Sequence, residues 1–186
     1  MIRAALLPVL IVLITQAHAQ TSPSGDLANE SYAPRTSAGA VPMRVEVLSA
    51  TSFTDVETRQ VYRFYGIDAC DPTQTATLGR QTWPCGTVAT AWLVTVTLNK
   101  WVACTTIRIQ DAVRVARCAT GESPDLAAEM LKAGHAVTLP GADDRLIAGY
   151  AQLEKDARAA YRGIWASSFQ MPWRFRQQHS AGTEER

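Results

Sequence analysis

A chain of 186 residues with 18 lysines and arginines against 17 aspartates and glutamates carries a formal net charge of only +1. That balance excludes the strongly basic surface through which sequence-independent nucleic-acid binders neutralise phosphates, so any polyanion site must be a local cluster. Arginine outnumbers lysine heavily, which suits phosphate clamps and equally fits a compositional bias.

The N-terminus reads as a secretory signal over residues 1–19. Arg3 supplies the positive start, Ala4 to Ile14 is an apolar run broken only by Pro8, and Ala17-His18-Ala19 places small residues before a cleavage point at Gln20. The run is short for a transmembrane span. The reading implies a periplasmic or secreted protein with no membrane contact after cleavage, whose basic residues then number 17, level with its 17 acids. Residues 20–42 are rich in Ser, Thr, Pro, Gly and Ala without periodicity and predict a flexible spacer. Residues 43–176 form one domain of ordinary size, expected to be a monomer, and 177–186 a polar tail.

Met43 to Leu48 alternates apolar and charged side chains, with Val45 and Val47 on one face, and predicts a half-buried strand. Phe53–Glu57 and Gln60–Ile67 predict two more. Thr82 to Leu98 is rich in β-branched residues, yet its length and the four-residue steps Val88, Trp92, Val96 predict a buried helix. Val102–Arg108 and Val113–Ala119 predict an antiparallel hairpin. Leu126, Met130 and Ala133 then line a short helix that Gly134 caps. A last helix starts at Asp143 or Asp144 and carries Leu146, Tyr150, Leu153, Ala157, Tyr161 and Ile164 inward, with Glu154 and Arg158 as an i,i+4 pair. The order is that of an α+β fold: a five-stranded OB barrel with three helices, a small α+β sandwich being the plainer alternative.

Four cysteines allow three pairings, and all four lie beyond the signal, as an oxidising compartment favours. Cys104 and Cys118 face each other across the hairpin, which leaves Cys70 with Cys85. Zinc is the competing use. It is disfavoured because there is no C-x-x-C pair and His135 is the one histidine inside the domain. His135 also has no partner in sequence, and a packing role suits it better than catalysis. No G-x-S-x-G, P-loop or dinucleotide glycine pattern occurs, so no nucleotide cofactor is expected. Of the tryptophans, Trp101, beside Lys100 in an expected turn, is the candidate for stacking on a single-stranded base; the others read as core.

The segment Tyr62-Arg63-Phe64-Tyr65-Gly66-Ile67-Asp68-Ala69-Cys70-Asp71-Pro72 brings an arginine and two carboxylates together after a glycine. Such a set suits a hard cation beside a phosphate. It resembles the R-x-x-G-I-D-A-P-E signature of the staphylococcal nuclease (thermonuclease) family. Trp83-Pro84-Cys85-Gly86 with Ala89, Arg114-Val115-Ala116-Arg117-Cys118, Asp125-Leu126 with Gly134-His135-Ala136, Tyr150…Glu154…Ala157-Arg158, Gly163-Ile164-Trp165 and Pro172-Trp173-Arg174 resemble further family segments in the same order.

The resemblance implies an OB-type fold and calcium-dependent hydrolysis of phosphodiester bonds in DNA or RNA. Arg63 and Arg114 would hold the phosphate, Asp68 would bind Ca2+, and Asp71 would position water. Two departures bear on turnover. Thr51, in Ser49-Ala50-Thr51-Ser52, stands where the family has a metal-binding aspartate, and a hydroxyl is a poor ligand for a hard dication. Asp55 or Glu57 is the available replacement. Asp71 stands where the family has glutamate, a carboxylate displaced by about one ångström. The expectation is therefore a weakened nuclease. The alternatives are an inactive module that binds single-stranded or denatured nucleic acid or another polyanion, and a factor in exopolysaccharide (succinoglycan) biosynthesis. Each site residue also has a plainer reading: arginines as surface residues, Asp68 as a turn cap.

Overall fold

The computed structural model describes residues 40–143, 145 and 147–181. The expected signal at 1–19, most of the spacer, and the tail from 182 lie outside the described residues, as do Asp144 and Leu146. In chain order the elements are β1 (Val45–Ser49), β2 (Ser52–Asp55), β3 (Val61–Phe64), β4 (Ile67–Asp68), β5 (Ala76–Leu78), β6 (Gln81–Trp83) and α1 (Cys85–Thr97). There follow β7 (Ala103–Gln110), β8 (Val113–Ala119), α2 (Leu126–Ala133), β9 (Val137–Thr138), α3 (Tyr150–Ala159), a 3-10 turn at Gly163–Ala166 and α4 (Pro172–Ala181). Among the described residues no helix is long and apolar enough to cross a membrane.

The fold is α+β. The main sheet has five strands in the order β1-β2-β3-β8-β7, antiparallel except for the parallel pair β3–β8. All five are expected from the sequence, but the third, expected over Gln60–Ile67, is divided at Gly66 into β3 and β4, and β4 leaves the main sheet. The sheet is not a closed barrel: its outer strands β1 and β7 do not pair, and Met43 and Val102, just before them, share one isolated bridge of two hydrogen bonds, 2.8 and 3.0 Å. Two two-stranded pieces, β4–β9 and β5–β6, stand beside it.

β1 follows its sequence pattern, Val45 and Val47 packing on the core while Glu46 and Leu48 face outward. Phe53 is fully buried against Phe64, ring centroids 5.7 Å apart and edge to face. Asp55 closes the β2–β3 turn, accepting hydrogen bonds from the Glu57 amide at 3.0 Å and the Thr58 hydroxyl at 2.6 Å.

α1 is helical despite its β-branched content, but it buries Cys85, Ala89, Leu93 and Thr97 rather than the expected Val88–Trp92–Val96 row. Trp92 and Val96 flank the core and Val88 is exposed. Thr82 belongs to β6, not to the helix. α2 has the expected caps: the Asp125 carboxylate accepts from the amides of Ala127 and Ala128, and Gly134 takes a left-handed φ of 76°.

The last expected helix is shorter and followed by another. α3 begins after Gly149, at φ 89°, not at Asp143, whose carboxylate accepts from the Arg145 amide at 3.0 Å instead. α3 stops at Ala159, leaving Tyr161 exposed and Ile164 buried in the 3-10 turn. With α4 there are four α-helices among the described residues rather than three, and it runs past residue 176. Glu154 and Arg158 do pair, at 3.1 Å. Both expected disulfides are formed, Cys70–Cys85 and Cys104–Cys118, the latter joining register partners of β7 and β8 with Cα atoms 4.1 Å apart.

Candidate functional site

The signature segment lies in a cleft of about 380 Å³ at one end of the main sheet. The β1–β2 turn supplies Thr51, β3 supplies Arg63, the segment after β4 supplies Asp71, β7 supplies Arg108 and Gln110, and α4 supplies Arg176.

Two glycines set this geometry. Gly66 has a left-handed φ of 77°, turning the chain from β3 into β4, and a Cβ there would collide with Ile147, 2.6 Å away. A Cβ on Gly86, at the start of α1, would overlap the Asp71 carbonyl oxygen. That close approach, with the Cys70–Cys85 disulfide beside it, seats the Asp68–Asp71 loop against α1.

Of the residues marked in the sequence, Thr51, Arg63, Asp68 and Asp71 all line the cleft. Asp68 is buried in its wall. Its Oδ1 accepts from the Ala69 amide at 2.9 Å, and its Oδ2 accepts from the Arg176 guanidinium at 2.5 Å. Asp71 is half-buried, and its Oδ1 accepts from both the amide and the hydroxyl of Thr73, at 3.1 and 2.9 Å. It therefore also caps its own turn.

Arg114, Trp101, Asp55 and Glu57 do not line the cleft. Arg114 sits opposite Tyr62 and Ile109 in the sheet, on the face away from Arg63. Trp101 is exposed beyond the far end of the hairpin, with the Arg44 guanidinium 5.5 Å from its ring centre. The Asp55 carboxyl is held below its ordinary range by the Thr58 hydroxyl and is committed to the β2–β3 turn.

Sequence reasoning missed Arg108 and Arg176. A bulge in β7 between Thr106 and Arg108 shifts the register so that Arg108, not Ile107, lies opposite Val115. Val115 in turn neighbours Arg63 on β3, so Arg63, Val115 and Arg108 form a row on one face of three adjacent strands. The Arg108 guanidinium lies 5.6 Å from the ring centre of Tyr65. Among the described residues no carboxylate pairs with Arg63 or Arg108. The polar steps Arg108 and Gln110 were the visible signal for this face; Arg176 gave none, because it depends on a helix the sequence pattern did not announce.

The donors do not fit a calcium ion well. Calcium takes six to eight oxygens, several from carboxylates. Here Asp68 has both oxygens engaged, Asp71 has one held by Thr73, and Thr51 offers a hydroxyl. Among the described residues no group of three acidic, histidine or cysteine side chains is placed to hold a metal. What the cleft does offer is an excess of guanidinium over carboxylate, suited to a phosphate or similar oxyanion. No known family profile and no curated protein matches this chain.

Proposed function

We propose that this is an exported domain of the thermonuclease-like class that has kept the recognition of a nucleic-acid phosphate and given up calcium-assisted hydrolysis. The observation that carries the reading is the Arg176–Asp68 ion pair. A guanidinium fixed to the chain neutralises the carboxylate to which the resemblance assigns the metal, while among the described residues no carboxylate pairs with the fork of Arg63. The five-strand order and the bridge between Met43 and Val102 support an OB-type barrel left open along one seam. The two disulfides support residence in an oxidising compartment.

A second reading, a weak calcium nuclease, is favoured by the convergence of Thr51, Arg63, Asp68 and Asp71 on one cleft. Heat-denatured DNA separates the two. The oxidised protein is expected to bind it with or without chelator and to leave it uncut when calcium is added. Cleavage that requires calcium and disappears in Arg63→Ala would establish the second reading instead. Absence of binding at low salt would remove both.

A further inference from the structure

We propose that Arg108 is the second arm of a metal-independent phosphate clamp whose first arm is Arg63, with a single-stranded polynucleotide as the source of the phosphate. This rests on the reading above and extends it to a residue that neither the motifs nor the resemblance singled out.

Three observations converge. The β7 bulge places Arg108 in the same row as Arg63, with Val115 between them. With adjacent strands about 4.8 Å apart, the two arginine Cα atoms lie roughly 10 Å from each other across that residue. Val115 is short and buried, so it floors the gap without filling it. Two long side chains rooted on either side of a low floor can close on one tetrahedral anion, each presenting a planar two-donor fork.

Arg108 is also held in place. Its guanidinium lies over the ring of buried Tyr65, and the Tyr65 hydroxyl is fixed by accepting from the Asp143 amide at 2.9 Å. A cation supported on an aromatic face loses less freedom on binding an anion than a solvated one. Gln110, two residues along the same strand and on the same face, adds a neutral donor at the cleft.

Neither arm is neutralised by a carboxylate among the described residues, whereas the third guanidinium of the cleft is paired with Asp68. The division of labour follows: Arg176 balances the buried carboxylate, and Arg63 and Arg108 meet the ligand. Because no metal joins the two arms, affinity is independent of calcium and chelator, and it falls with salt as phosphate contacts do.

The test is binding by the full oxidised protein in chelator, with two probes: a fluorescent single-stranded oligonucleotide read by anisotropy, and inorganic phosphate read by calorimetry. Arg63→Ala, Arg108→Ala, Arg108→Lys and Arg114→Ala are compared, each checked for an unchanged melting temperature. Arg108→Ala is expected to weaken oligonucleotide binding about tenfold, as Arg63→Ala does and more than Arg114→Ala; Arg108→Lys, which keeps the charge and loses the fork, falls between. Oligonucleotide binding that survives Arg108→Ala unchanged overturns the clamp and leaves the functional reading standing. Phosphate binding that depends on Arg108, without oligonucleotide binding, keeps the clamp and removes the polynucleotide. Binding of neither probe removes both.

Discussion

Asp68 shows how one side chain satisfies a motif without performing its expected task. It stands where the resemblance puts a calcium ligand and lies in the cleft, yet both oxygens are spoken for, one by the Ala69 amide and one by Arg176. Removing one partner of a buried charged pair costs more than the pair contributes, because the remaining charge is left dehydrated. Arg176→Ala is therefore expected to lower stability by about 1–3 kcal/mol. The same variant frees a carboxylate beside Asp71 and Thr51, so millimolar calcium should raise its melting temperature and leave that of the unmodified protein unmoved. A calcium response equal in both proteins would show that Arg176 does not stand in the cation's place. The residue scale also shows the limit of motif matching. Arg63 was legible because it belongs to a contiguous signature, whereas Arg114 and Arg108 compete for one role and only the pairing register decides which of them faces the cleft.

At the scale of elements, the strands of the main sheet and both disulfides were legible, since alternation and facing cysteines are local patterns. The bulge was not. One extra residue at Ile107 exchanges the two faces of β7 without changing its composition, and a period-two reading cannot detect that. The start of α3 was hidden for a similar reason: Asp143 is a good capping residue, but it caps a turn with Arg145, and the helix waits for Gly149. The Cys70–Cys85 disulfide is the element that keeps the signature loop against α1. It joins cysteines 15 residues apart. A loop of that length accounts for about 3 kcal/mol when opened. Replacing both cysteines by alanine should lower the melting temperature accordingly and weaken oligonucleotide binding, as the wall of the cleft loses its fixed place beside Arg63 and the Asp68 carboxylate is no longer held on Arg176. A variant that melts earlier yet binds as before would show that the loop is held by Gly86 packing alone.

Across the whole molecule, two apolar clusters divide the work. The larger lies between the main sheet, α1, α2 and the start of α3; the smaller gathers Cys70, Cys85, Val137 and Ile164 with Trp83, Trp165 and Trp173. The smaller cluster carries α4, and so it brings Arg176 to Asp68 from 108 positions away in sequence. No periodicity within a short window encodes such a contact, which is why this half of the site was invisible in the sequence. His135 belongs to the larger body: its ring packs 5.8 Å from that of Trp92, its Nδ1 is buried without a hydrogen-bond partner, and burial pushes its pKa below the ordinary value of 6.5. The unfolded chain then binds a proton at His135 more readily than the folded one does. Its penalty is absent above about pH 6.5 and grows as the pH falls from there towards the depressed folded value. The melting temperature should accordingly drop between about pH 7.5 and 5.5, a window above most carboxylate titrations. His135→Phe keeps an aromatic ring against Trp92 and removes the titrating group, so its melting temperature should change less over the same interval. An identical drop in both proteins would place the proton uptake elsewhere in the molecule.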